Sequence, residues 1–214
     1  MSMKRRNVVN RVIAMSTFIG LLVGCGEYPM PAPPSPTIPT REIPTTEIKV
    51  IAFDVFGTVF DLTSVDRGEI RDYVRHVKAS EWEPLELPKS WATIPAHPDA
   101  FQGLLRLRSG GYTVVTLSNG PMRLLTQMSR RNHIEWDAIV PIELRKVYKP
   151  DIEAYRVLPE LFGVKPNEIM MVTANPTFGD VEAAKSLGWH VAVIRQEEGP
   201  KTIEDLADSL LREE

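Results

Sequence analysis

The stretch Ile51-Ala52-Phe53-Asp54-Val55-Phe56-Gly57-Thr58-Val59-Phe60-Asp61 decides how this chain is read. The apolar run from Ile48 to Phe53 reads as a buried strand, and it ends on a carboxylate, Asp54. A turn residue, Gly57, and a hydroxyl, Thr58, follow at once. In open α/β sheets ligands bind at the carboxyl ends of strands, which puts Asp54 at the floor of a cleft. A carboxylate held there can attack carbon or phosphorus and form a covalent ester. Asp54 therefore reads as a nucleophile, with Thr58 beside it.

The same grammar recurs outward along the chain. Pro98 to Ser109 carries apolar residues at helical spacing and stops at Gly110-Gly111. Tyr112 to Leu117 reads as a second buried strand, and it ends in Ser118-Asn119-Gly120. A hydroxyl and an amide at a strand end can hydrogen-bond a substrate carboxylate or phosphate. A helix over Pro121 to Arg131 and a strand near Ala138 to Pro141 lead to Val147-Tyr148-Lys149-Pro150-Asp151, with Tyr155 following. An ammonium at Lys149, close to Asp54, would keep that carboxylate ionised and offset negative charge in a transition state. Pro150 suits a first helical position, and Tyr155 either donates to substrate or packs on the sheet. An apolar run from Ile169 leads to Asn175, Thr177 and Asp180, the last opening a helix to Leu187. His190 to Ile194 reads as a further strand and Thr202 to Leu211 as a closing amphipathic helix. Strands alternating with helices predict an α/β fold with a doubly wound parallel sheet.

Taken in order, these segments resemble the four motifs of the haloacid dehalogenase (HAD) superfamily over roughly Lys49 to Ile194. The likeness is to its 2-haloacid dehalogenase branch. Phe56 stands two residues after the nucleophile, where the HAD phosphatases usually carry a second aspartate as acid/base. The resemblance implies a Rossmann-like core with a helical cap inserted after the first strand, here short and reduced to about residues 61–96. It implies catalytic roles for Asp54, Thr58, Lys149, Asn175 and Asp180, and substrate contacts from Phe56, Ser118, Asn119 and Tyr155. No cofactor is implied. Two departures stand out. Family dehalogenases place an arginine in the cap to hold the departing halide, and no arginine falls between His76 and Gln102; Arg67, Arg71 and Arg75 come earlier. In the last motif Asn175 stands where Asp or Ser is usual, and Thr177 replaces Asn.

The chain has 214 residues, enough for one catalytic domain with accessories, and a formal net charge of -3. That charge leaves no basic footprint for nucleic acid. His76, His97, His133 and His190 are scattered without metal-ligand spacing, and the single cysteine excludes an internal disulfide. That cysteine, Cys25, ends Leu22-Val23-Gly24-Cys25 after a basic start and a short apolar segment. This is the pattern of a secretory signal, too short to cross a bilayer core of about 30 Å. It resembles a bacterial lipobox, which implies lipidation of Cys25 and an exported, membrane-anchored protein; a mis-assigned start would leave the protein cytoplasmic. The boundaries read as a signal segment over 1–25, a Pro-rich semi-rigid linker over 26–47 and a hydrolase domain over 48–214.

Three functions compete on these residues. The leading one is hydrolytic dehalogenation of a short 2-halo acid through an ester on Asp54. The second is a Mg²⁺-dependent phosphatase forming an aspartyl-phosphate, with Asp54 and Asp180 as the carboxylate ligands. The third is a surface-tethered, non-catalytic binding protein on the same fold.

Overall fold

A computed structural model of the chain describes residues 48–79 and 81–212. The signal segment, Cys25 and the Pro-rich linker lie outside the described residues. Strand β1 (Val50–Phe53) is buried at all four positions. It lies between β2 (Thr113–Thr116) and β4 (Ile169–Thr173), with β3 (Ala138–Ile139) beyond β2 and β5 (His190–Val193) beyond β4. Every pairing in the sheet is parallel. A strand at the centre of a parallel sheet has no solvated face, which is why β1 is apolar throughout and β4 is apolar up to its last residue, Thr173, rather than alternating.

Successive side chains of a strand point to opposite faces, and the core divides accordingly. Ile51, Phe53, Val114, Met170 and Val172 join one cluster with residues of α2 (Ala100–Ser109), α3 (Met122–Arg131) and α6 (Ile203–Leu211). Val50, Ala52, Val115, Ile169 and Met171 join the other, with α4 (Ile152–Phe162) and α5 (Asp180–Ser186). Helices therefore cover both faces, and the sheet is doubly wound as the alternation of elements requires. Each fully buried leucine, such as Leu104 or Leu107, contributes about 1.5–3 kcal/mol of burial.

The chain runs from β1 outward through β2 to β3, then crosses back to β4 and β5 on the other side. The switch lies between β1 and β4, so the loops after these two strands open a crevice between them. Asp54 follows β1, and Asn175 follows β4. Both reach the same crevice.

The insertion between β1 and α2 contains one α-helix, α1 (Arg67–Val77), between two 3-10 turns at Leu62–Ser64 and Lys89–Thr93. The helix starts at Arg67 because the Asp66 carboxylate caps it, accepting from the Gly68 and Glu69 amides. Trp91 fastens this insertion to the core. It is fully buried, its indole N–H donates to Glu69 Oε2 at 2.9 Å, and its ring meets Phe56 edge-on at 5.1 Å. Packing and a hydrogen bond thus hold α1 over the end of β1.

Candidate active site

Asp54 emerges from β1 with a mostly buried carboxylate, its side chain 15% exposed. Two donors grip it from the protein side. The Lys149 ammonium donates to Oδ1 at 2.9 Å, and the Thr58 hydroxyl donates to Oδ2 at 3.0 Å. Thr58 is itself oriented by the Ala174 amide, which donates to Oγ1 at 2.9 Å, so the loops after β1 and β4 are tied together here.

Lys149 is 1% exposed and reaches a second carboxylate, Asp180, at 3.0 Å. Asp180 is equally buried and begins α5; its Oδ1 accepts from the Tyr155 hydroxyl at 2.5 Å. One cation thus sits between two anions in a dry cluster. Burial lifts the Asp54 carboxyl above the ordinary carboxylate range; Lys149 works against this, and the charge of Asp180 adds to it. Burial alone would lower the Lys149 ammonium, but Asp180 and Asp54 outweigh it and hold the lysine protonated above its usual value.

Four of the expected site residues, Asp54, Thr58, Lys149 and Asp180, are joined in this one network. Others are placed differently from what the sequence suggests. Asn119, expected on the substrate, clamps Lys149: its Oδ1 accepts from the Lys149 backbone N–H at 2.7 Å and its amide donates to the Lys149 carbonyl at 3.1 Å. Ser118 is 1% exposed, and its hydroxyl accepts from the Gly120 amide, bracing the turn. Tyr155 is fully buried, and its hydroxyl is engaged by Asp180 rather than turned to a substrate. In each case the polar group meets a closer partner inside the protein, and a buried donor left unpaired would cost more than one bonded internally. Asn175 is exposed, and its Oδ1 accepts from the Thr177 hydroxyl at 3.0 Å.

A cavity of about 80 Å³ opens onto Asp54. Phe56, Phe178 and Asn175 line it from the sheet-end loops, with Leu62 beside them. Ile70, Tyr73 and Val74 of α1 form the facing wall. Tyr73 was not singled out from the sequence; its only signal is the apolar spacing Ile70, Tyr73, Val74, Val77 along one helix face. Arg67, Arg71 and Arg75 are all exposed and do not line the cavity. The phenol is the only hydroxyl on this wall. Among the described residues no group of three or more His, Cys, Asp or Glu is arranged to hold a metal. The Lys149 ammonium bridges Asp54 and Asp180 at 2.9 and 3.0 Å, so the cation these two carboxylates share is a side chain of the protein itself.

No family model matches the chain. It is similar to (S)-2-haloacid dehalogenase 4A of Burkholderia cepacia, 30% identical over 120 residues, a match spanning 55% of this chain and 51% of that relative. The chain thus spans about half the length of that curated relative. Among solved structures, a defluorinating L-2-haloacid dehalogenase superposes with a TM-score of 0.62 at 23% identity, over 76% of this chain and 95% of that one. The L-2-haloacid dehalogenase of Xanthobacter autotrophicus with chloropropionic acid covalently bound gives 0.61 at 20% identity, over 78% of this chain and all of that one. The fold is that of the haloacid dehalogenases.

Within the haloacid dehalogenase fold, the turn that delivers Asp180 is steeply constrained. Gly179 adopts φ 104°, and a Cβ there would approach Pro150 Cβ to 2.7 Å. Gly179→Ala is expected to cost about 1–3 kcal/mol of stability, read from a urea melt, because it combines a left-handed backbone with an overpacked contact. A melt within a few tenths of a kcal/mol of the parent would show that the turn relaxes freely.

Proposed function

We propose that the chain is a hydrolase that removes halide from a short 2-halo acid through an aspartyl ester on Asp54. One observation carries this reading: the Asp54 carboxylate is open to a small, largely apolar cavity, supported by Lys149 and Thr58, with a phenylalanine where a second acid would otherwise stand. Displacement at an alkyl halide needs a nucleophile but no protonation of the leaving group, because halide departs as a stable anion. Phosphate-ester cleavage ordinarily needs an acid for the leaving alkoxide, and Phe56, 7% exposed and packed on Tyr73 and Trp91, supplies none.

In the first step an Asp54 oxygen attacks the halogen-bearing carbon; the new C–O bond forms as the carbon–halogen bond breaks and halide leaves with its electron pair. In the second, water attacks the ester carbonyl, returning the Asp54 carboxylate and releasing a 2-hydroxy acid and a proton. Dividing one hard displacement into two steps is the gain of covalent catalysis. The apolar walls strip water from the carboxylate, and Lys149, held by Asn119 and Asp180, keeps it ionised. Asn175, on the cavity wall, is the residue assigned to orient the hydrolytic water in this reading. A wider cleft of about 560 Å³ adjoins at Phe178, with Lys78 and Lys146 on its lining. These lysines give an anionic substrate a positive approach.

The test is halide release from 2-chloropropionate and chloroacetate with EDTA present, alongside single turnover in H₂¹⁸O. The expected result is metal-independent release, with the label entering Asp54 first and the 2-hydroxy acid only on later turnovers. Release that needs Mg²⁺, or label passing directly into product, would overturn the ester mechanism.

A further inference from the structure

The cavity contains a donor with no role in the chemistry above, and its position assigns it one. An in-line displacement puts the leaving atom opposite the attacking oxygen. Asp54 rises from the sheet-end loops, and the wall contributed by the insertion is Ile70, Tyr73 and Val74 of α1. Two of these three side chains are hydrocarbon, so Tyr73 is the only one that can donate a hydrogen bond to an anion forming there.

Its surroundings prepare it to donate. The ring is fixed edge-on against Phe56 at 5.6 Å and tilted against Trp91 at 5.6 Å. Asn119, held by the Lys149 backbone, acts to lower the phenol pKa against the larger effect of burial. Among the described residues no acceptor takes the phenol proton. Burial and then the charge of Asp54 hold the phenol in its protonated form well above the usual tyrosine range, so it remains a donor throughout neutral pH. The basic residues of α1 do not compete. Arg67, Arg71 and Arg75 face solvent, and Lys78, just beyond the helix, lies over the Phe178 ring at 5.7 Å outside the cavity lining.

We infer that Tyr73 is a catalytic residue of this site, hydrogen-bonding the departing halide from the wall facing Asp54 in place of a cationic side chain. This rests on the dehalogenase reading and adds a leaving-group site to it. The halide departs with the bonding pair and takes no proton; the Tyr73 hydroxyl shares its hydrogen with the anion and keeps it. A neutral donor favours small, strongly hydrogen-bonding halides over large polarisable ones, so the inferred substrates are short chloro acids sized to a cavity of about 80 Å³.

Tyr73→Phe in the full-length chain tests this, with the single-turnover rate measured for chloroacetate, bromoacetate and iodoacetate against an Asp54→Asn blank. The ring and its contacts are retained, and near-UV circular dichroism checks that they are. The expected result is a loss of about 10- to 100-fold with chloroacetate, the range for a hydrogen bond to a charged group, shrinking through bromoacetate to a few-fold with iodoacetate. Inhibition by free bromide should weaken in parallel. An equal loss with all three halides, a change confined to KM, or no change would overturn the leaving-group role while leaving the dehalogenase reading intact. Absence of halide release from the folded parent chain with all three would overturn both.

Discussion

Replacing Asp54 with asparagine is expected to abolish halide release, by about 10⁴-fold or more, while the folded protein becomes more stable. The kinetic half follows from the loss of a covalent nucleophile, whose removal takes out the whole two-step route. The stability half follows from charge counting in the buried cluster. Asp54, Asp180 and Lys149 carry two negative charges and one positive in a space almost closed to water. The asparagine variant leaves Lys149 and Asp180 as a balanced pair. The sign of the pH dependence is set by Asp54, whose folded-state pKa is raised above the value of 3.8, chiefly by burial. A raised carboxyl destabilises the fold at any pH above its folded pKa, and the penalty disappears as pH falls below the unfolded value. Asp54→Asn should therefore melt above the parent at pH 7, and the gap should close toward pH 4. A variant that melts lower at pH 7, or keeps measurable turnover, would show that Asp54 is a structural anion and not the strained nucleophile described here.

The fold was legible because buried parallel strands leave a plain trace. Val50 to Phe53 and Ile169 to Val172 are apolar without interruption, and each leads into its functional loop. Lys149 and Asp180 were legible for the same reason: a charge next to a turn in an otherwise apolar neighbourhood must find a partner, and these find each other. What the linear order hides is direction. Asn119 and Tyr155 have the right chemistry to meet a substrate, and only the fold shows that Lys149 and Asp180 claim them first. Tyr73 shows the converse. It lies in a polar helix with no motif around it, and becomes part of the site only because Trp91, bonded to Glu69 of the same helix, pins α1 over β1. Long-range packing of this kind has no local signature.

Replacing Lys149 with methionine should be the most damaging change to the fold, with a large loss of activity beside it, and it should reverse the stability effect of Asp54→Asn. Methionine fills much of the same volume without the charge. Asp54 and Asp180 then face each other without the ammonium between them, and breaking a buried ion pair from one side costs about 3–5 kcal/mol. The loss should be greatest near neutral pH and smaller toward pH 4, since protonating the carboxylates relieves the repulsion. Turnover should fall by about 10³-fold, because the Asp54 carboxyl, already lifted by burial, loses the opposing influence of Lys149 and is protonated over a wider range. The acid limb of kcat/KM should accordingly move to higher pH than in the parent. Lys149→Arg separates charge from shape: the guanidinium restores the charge but cannot match an ammonium that meets Asp54 at 2.9 Å and Asp180 at 3.0 Å. The arginine variant should recover most of the neutral-pH stability and bring the acid limb back toward its parental position, while kcat stays low. If the methionine variant kept the parental acid limb, Lys149 would not be what controls the ionisation of Asp54, and the electrostatic account of the nucleophile would fail.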